Sequence, residues 1–216
     1  MSTSDLFQQA QPGQRVAMGA QAFILPGFAE PWLEQLLPTL QAIQQQAPLR
    51  QMSTQGGRRM SVQTTACGHL GWVSSEQGCR YSPIDPESGQ PWPAMPACLL
   101  ELARRAAAEA GFSSFTPDSC LINRYLPGAG MGLHQDKDEK DFTAPIVSIS
   151  LGMPATFLFG GFKRSDRPAR TILNHGDVVV WGGADRLRFH GVMPVGDLAH
   201  SQLGRQRINL TLRKAG

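Results

Sequence analysis

Residues 206–213 read QRINLTLR, and the run alternates without a break. Arg207, Asn209, Thr211 and Arg213 fall on one side of a strand, with Ile208, Leu210 and Leu212 on the other. A period of two excludes a helix here. One face is apolar and needs cover; the other carries two guanidiniums, an amide and a hydroxyl. The same short alternation recurs upstream in SCLINRYL (119–126), IVSISL (146–151), ATFLFG (155–160), DVVVWG (177–182) and RLRFHGV (186–192). Turn signals such as Pro127-Gly128 and Gly182-Gly183 separate these runs. Short strands at this spacing predict a sandwich, jelly roll or barrel.

The rest of the chain adds helices and loops. In residues 30–46, Leu33, Leu36, Leu37 and Leu40 share a helical face, and Pro38 is expected to kink or split that helix. Over 97–110, Leu99, Leu102, Ala103, Ala106, Ala107 and Ala110 follow helical spacing, with Gly111 as the stop. Residues 50–96 keep no period, carry five prolines between Pro83 and Pro96, and read as short strands and loops of a lid. Residues 1–15 are polar, Gln-rich and expected to be mobile. The 216 residues are enough for one domain with its own core, and 23 Gly and 16 Pro fit many turns rather than a helical bundle.

Composition excludes several classes. The most apolar stretch, 145–160, is broken by Ser148, Ser150, Gly152 and Pro154, so no membrane span is expected. The N-terminus lacks the basic and apolar pattern of an export signal. The four cysteines form no C-x-x-C pair, which fits reduced thiols and a cytoplasmic protein. Net charge is +3, but residues 160–216 alone carry +6. That asymmetry fits either a solvated basic face or a surface for a polyanion. No Gly-rich phosphate loop, G-x-S-x-G elbow or dinucleotide fingerprint is present.

The chemistry lies in another pattern. His134-Gln135-Asp136 places an imidazole and a carboxylate on one side of a strand. His190, in RFHG, lies on a run able to pair beside them. Two His and one carboxylate make the facial triad of non-haem Fe(II) oxygenases, which leaves positions open for oxygen and a co-substrate. Alone, the pair reads equally as two surface polar residues after a turn. A dicarboxylic acid needs bidentate cationic donors at its ends, and Arg207 and Arg213 supply two. Asn123 and Tyr125 add an amide and a phenol.

Longer segments carry a resemblance. CGHLGW (67–72), YSPIDP (81–86), PWPAMP (91–96), CLINRY (120–125), LHQDKDE (133–139), APIVSISLG (144–152), HGDVVVWGG (175–183) and RINLTLR (207–213) are the main ones. With them, the chain resembles the AlkB-type alkylated-DNA repair dioxygenases of the Fe(II)/2-oxoglutarate-dependent oxygenases, from about Phe23 to Arg213. The resemblance implies a β-rich α+β fold: a double-stranded β-helix (jelly-roll) core over 119–214, N-terminal helices, and a nucleotide-recognition lid within 50–96. Residues 16–216 would form a single domain. Fe(II), 2-oxoglutarate and O2 are the implied cofactor and co-substrates.

The resemblance also implies roles. His134, Asp136 and His190 match the iron ligands. Arg207 matches the arginine of the distal 2-oxoglutarate carboxylate, and Arg213 the one near its metal-proximal end and Asp136. Asn123, Tyr125 and Asn209 match further co-substrate contacts. Trp72 matches a lid aromatic against the flipped base, and Asp138 an acid near the methylated base; Asp138 reads equally as a solvated turn acid. Arg164, Met60, Lys137 and Ser148 match the lid and rim. Cys79 stands where the family has a tyrosine, which weakens the expected grip on substrate, with Tyr81 nearby to take part of that role.

The implied reaction is oxidative demethylation of 1-methyladenine and 3-methylcytosine in single-stranded or damaged DNA, with RNA open. It releases formaldehyde, succinate and CO2. The base must be single-stranded or extruded. Lys163, Arg164, Arg167, Arg170, Arg186 and Arg188 are phosphate-contact candidates. Nothing in the sequence demands more than a monomer. Three alternatives stay open: a hydroxylase of a protein or small molecule with the same core, a non-catalytic nucleic-acid-binding module, and a zinc hydrolase.

Overall fold

The computed structural model describes residues 14–216. The expected mobility of residues 1–15 therefore lies, but for Gln14 and Arg15, outside the described residues. In chain order the strands are β1 (Val16–Ala17), β2 (Ala22–Leu25), β3 (Gln63–Gly68), β4 (Gly71–Ser75), β5 (Gly78–Ser82), β6 (Ser119–Tyr125), β7 (Met131–His134), β8 (Ile146–Gly152), β9 (Ala155–Phe159), β10 (Ala169–Leu173), β11 (Val178–Trp181), β12 (His190–Val192) and β13 (Arg207–Arg213). The helices are α1 (Leu33–Gln46) and α2 (Ala97–Glu109).

The fold is β-rich α+β with antiparallel sheets. One sheet has seven strands in the order β1-β2-β11-β8-β13-β6-β3. A second has four, β10-β9-β12-β7, and β4-β5 is a separate hairpin. The seven-stranded sheet is covered on both faces. Helix residues Leu36, Leu40, Ile43, Leu99 and Leu102 pack with Ile122, Ile149, Ile208, Leu210 and Leu212. On the other face Ile24, Tyr125, Ile146, Val179 and Trp181 meet Phe157, Phe159 and Val192. The apolar half of QRINLTLR thus packs with the helices, and its polar half faces the smaller sheet.

Pro38 does not split α1, which runs unbroken from Leu33. An interior proline costs about 3 kcal/mol. Burying each of Leu36, Leu40 and Ile43 contributes roughly 1.5–3 kcal/mol, so the packed face outweighs it. Pro38 and Glu34, whose carbonyl loses its partner, both lie on the exposed side where water serves that oxygen. α2 matches its expected span, and Gly111 follows it at φ +94°, a left-handed stop. Within 50–96, Gln63–Gly68 is an edge strand of the large sheet, because Thr64, Thr65, Ala66 and Cys67 are buried against its core. The segment that stands apart from the large sheet is the β4–β5 hairpin. No described helix is long and apolar enough to cross a membrane.

Candidate active site

The smaller sheet brings the triad together. β7 ends at His134 and β12 begins at His190, and these two residues pair directly across the ladder. Gly191 makes this close approach possible: a Cβ there would lie 2.7 Å from the Met131 carbonyl oxygen. Asp136 follows β7 by two residues. Ligand atoms of His134, Asp136 and His190 all lie within 4.8 Å of one another. His134 Nε2 is 3.8 Å from Asp136 Oδ1, and His190 Nε2 is 3.6 Å from Oδ2. Each Nδ1 faces a backbone carbonyl, Gly132 at 2.9 Å and Arg188 at 3.1 Å. That contact places the proton on Nδ1 and leaves the Nε2 lone pair for a metal. The ring of Trp181 backs His190 at 4.9 Å.

The charges fit the same use. Burial, then the neighbouring His190, lowers the His134 pKa to about 4, so it is neutral at pH 7 as a ligand must be. Burial raises the Asp136 carboxyl, but Arg213 and the two imidazoles outweigh it and hold the group well below the usual carboxylate range. Arg213 donates to Asp136 Oδ2 from Nη2 at 2.8 Å and from Nε at 3.1 Å.

The His134 shift predicts a pH dependence for metal-stripped protein. The ordinary value is 6.5 and the folded value about 4. Between them the unfolded chain binds more protons than the folded one. Stability from this group is therefore complete above pH 6.5 and is lost as pH falls toward 4. The urea midpoint is expected to drop over that window, and to drop less in His134→Gln. Equal slopes in the two proteins would contradict the assignment.

The seven-stranded sheet supplies the polar floor. Arg207 pairs with Tyr125, and Asn209 with Asn123 and Ser150, so these side chains share a face. All of β13 is buried, which excludes the solvated-face reading of its arginines. Arg207 Nη2 donates to Ser150 Oγ at 3.0 Å and its guanidinium lies 5.0 Å over the Tyr125 ring. Its Nε and Nη1, and Asn123 Oδ1, are buried with no hydrogen-bond partner among the described residues. A fully buried guanidinium with two free donors suits a carboxylate. Burial raises the Tyr125 phenol, so it acts as a neutral donor. Asn209 Nδ2 donates to Ser148 Oγ at 2.8 Å, and Thr211 Oγ1 donates to Asn209 Oδ1 at 3.0 Å.

A cavity of about 380 Å³ joins the triad and the hairpin to the part of the floor formed by Asn123, Tyr125, Asn209 and Thr211; Arg207 is not on its wall. Trp72, Cys79, Tyr81 and Asp138 line it, as do Met60, Lys137 and Ser148. Trp72 Nε1 donates to Asp138 Oδ2 at 2.9 Å, and Cys79 Sγ contacts Ser74 Oγ at 3.5 Å. Arg164 is not on the cavity wall; it is exposed and donates to the Leu133 carbonyl at 2.5 Å. Lys163, Arg167 and Arg170 are exposed.

Arg186 corrects one expectation. It is buried rather than facing phosphate, because it binds the loop after the triad carboxylate. Its guanidinium donates to the Asp136 carbonyl (2.7 Å), the Ala144 carbonyl (3.2 Å) and Glu139 Oε2 (3.0 Å). Arg188 is likewise engaged, at 2.5 Å from Asp185 and 2.9 Å from the Gly160 carbonyl. Sequence reading also missed Glu139, whose carboxylate is 2% exposed and accepts from Tyr81 Oη at 2.6 Å. It sits in the run DKDEKD, where nothing in the spacing distinguishes it from Asp138 and Asp141, neither of which is buried. Among the described residues no other group of three metal-binding side chains gathers. The His175 and His200 rings lie 4.2 Å apart at a tilt of 34°, and His175 Nδ1 accepts from the Gly152 backbone N–H.

Two imidazoles and a carboxylate on one side of a cavity, with a guanidinium floor, define a non-haem iron oxygenase that uses a 2-oxo acid. The family model for the 2OG-Fe(II) oxygenase superfamily matches residues 21–213. The chain is 54% identical over 212 residues to the alpha-ketoglutarate-dependent dioxygenase AlkB of Escherichia coli K12, covering 98% of each. It is 49% identical to the protein of the same name from Salmonella typhimurium, covering 98% of this chain and 97% of that one. The chain belongs to the AlkB dioxygenases of this superfamily, enzymes whose cofactor is Fe(II) and whose co-substrates are 2-oxoglutarate and O2. The solved structure of OsALKBH1 shares the fold, with a TM-score of 0.82, 24% identity, and coverage of 93% of this chain and 100% of that one.

Proposed function

We propose that this dioxygenase removes N-methyl groups from 1-methyladenine and 3-methylcytosine in single-stranded DNA, with RNA as a further substrate. Asp138 carries the reading: an exposed carboxylate on the cavity wall, bonded to an aromatic lid residue. Methylation of the ring nitrogen makes these bases cationic, and a nearby carboxylate favours them over normal bases. The full-length likeness to AlkB supports the same conclusion.

His134, Asp136 and His190 hold Fe(II). The bound iron, with 2-oxoglutarate and O2, supplies the oxidising power that hydroxylates the methyl group. The resulting hemiaminal loses formaldehyde, and 2-oxoglutarate leaves as succinate and CO2. Arg207 binds the distal carboxylate. Arg213 serves the metal-proximal end and holds Asp136. Asn123, Tyr125 and Asn209 complete the co-substrate contacts. Trp72, Cys79, Tyr81 and Asp138 contact the base, and Arg164 lies at the rim. Trp181 and Phe157 keep the wall behind His190 dry.

The two facing sheets support a double-stranded β-helix core over 119–214. The β4–β5 hairpin with its flanking loops in 50–96 serves as the nucleotide lid of a single domain, 16–216. Free cysteines at Cys67, Cys79, Cys98 and Cys120 support a cytoplasmic location, and we assign a monomer.

Mass spectrometry of a single-stranded oligonucleotide carrying 3-methylcytosine tests the proposal. With Fe(II), ascorbate and 2-oxoglutarate, the oligonucleotide is expected to lose the mass of one CH2. Succinate formed without that loss would overturn it. That result favours hydroxylation of a protein or small molecule, the reading Cys79 alone supports. Cys79→Tyr is expected to lower the Michaelis constant about fivefold, within the range that base–aromatic stacking provides. An unchanged or higher value rejects a substrate role for this position.

A further inference from the structure

The β4–β5 hairpin and the loop after Asp136 meet through two hydrogen bonds of one kind. Trp72 and Tyr81 are cross-strand neighbours. Trp72 Nε1 donates to Asp138, and Tyr81 Oη donates to the next residue, Glu139. The two acids then diverge. Glu139 is buried and shared among Tyr81, Arg186 and, at 3.4 Å, Arg213, so its charge is spent inside the protein. Asp138 is exposed, and Trp72 is its one side-chain hydrogen-bond partner among the described residues. That bond occupies Oδ2. Oδ1 has no hydrogen-bond partner among the described residues, and Asp138 lines the cavity with the triad.

An exposed aspartate samples several rotamers, and a charge that wanders discriminates weakly. One donor on one oxygen fixes the carboxylate plane and leaves the other oxygen for a ligand. Alternation along β4 makes Trp72 suited to this task. Its neighbours Gly71 and Val73 are buried, while Trp72 is half-buried on the opposite side of the strand. Gly71 is packed against Trp92, where a Cβ would lie 2.3 Å from that ring, so the strand's position is set from behind.

We infer that Trp72 is a positioning residue for charge selection: its indole N–H holds Asp138 so that the cavity prefers a cationic base over a neutral base of the same shape. The inference rests on the proposed function. It adds a division of labour in which the ring of Trp72 contributes affinity for any base, and its N–H contributes selectivity for a positive one.

Trp72→Phe separates the two, because phenylalanine keeps an aromatic face and lacks the donor. The experiment measures anaerobic binding of two single-stranded oligonucleotides in the presence of Fe(II) and 2-oxoglutarate. One carries 3-methylcytosine, which is cationic, and the other 3-methylthymine, which is neutral. Wild type, Trp72→Phe, Asp138→Asn and the double variant are compared. Trp72→Phe is expected to weaken 3-methylcytosine binding about tenfold, the scale of a charge-assisted hydrogen bond, and 3-methylthymine binding less than about twofold. In the Asp138→Asn background, Trp72→Phe is expected to add no further loss of preference. Equal losses for both oligonucleotides, or additive losses in the double variant, would overturn the inference while leaving the demethylase reading intact. Failure of the wild type to bind either lesion better than unmodified DNA overturns that reading, and the inference with it.

Discussion

Asp136→Ala is expected to abolish demethylation, with a fall on the order of a thousandfold or more, because one of the three proposed ligands and the triad's only carboxylate are lost together. The effect extends past the metal. Asp136 accepts two hydrogen bonds from Arg213, whose guanidinium is buried. Burial lowers the Arg213 pKa, but Asp136 and its neighbours outweigh it and raise the group above its ordinary value. Removing Asp136 leaves that cation with Glu139 at 3.4 Å and a weak contact to Tyr81 at 3.5 Å. Breaking one side of such a buried pair costs about 3–5 kcal/mol. The variant is therefore expected to melt at lower temperature as well as to lose activity. Asp136→Asn keeps the shape and separates the two: stability returns in part, and product formation does not. Oligonucleotide mass spectra and thermal unfolding read both. Wild-type rates in either variant would remove Asp136 from the iron site.

Arg207→Met is expected to act in two opposite directions. The 2-oxoglutarate concentration for half-maximal succinate formation should rise about a hundredfold, since losing one partner of a buried charge pair costs about 2–5 kcal/mol. Without co-substrate, the same variant should be more stable than wild type by about 1–3 kcal/mol. The reason is the two guanidinium nitrogens that are buried without a partner. Burial also pulls the Arg207 pKa below its ordinary value, although the group stays charged. The wild-type chain thus carries an uncompensated cation that a dicarboxylate would complete. Urea unfolding and the 2-oxoglutarate dependence of turnover check the two signs. An unchanged half-maximal concentration would reject the assignment, and Arg207→Lys should recover little because an ammonium lacks the planar fork.

Much of this was legible in the residue order. Alternation in QRINLTLR fixed which side chains of β13 share a face, since side chains on a strand have a strict period of two. Helical spacing located α2 to within one residue of its observed end. Ion pairing across the fold was not legible. Arg186 and Glu139 lie 47 residues apart and carry no pattern that distinguishes them from solvated neighbours. Pro38 misled for a related reason: local preference argues against a helix through it, and burial of three distant-facing side chains decides otherwise. The triad spacing suggested a metal, but the tautomers that suit His134 and His190 to bind one depend on carbonyls that only the folded backbone brings near.

The β4–β5 hairpin shares no ladder with either larger sheet. Trp72 and Tyr81 reach the loop beyond the triad through their side chains. Backbone ladders hold His134, His190, Arg207 and Arg213 in the two larger sheets, and the hairpin meets this network through a side chain, Tyr81, which bonds Glu139 and lies 3.5 Å from Arg213. On the proposed function, the molecule is an engine fixed by ladders with a reading head attached by side chains. Substitutions in the hairpin, residues 71–82 with Cys79 among them, would then change which base is accepted while the ladders beneath His134, His190, Arg207 and Arg213 stay in place.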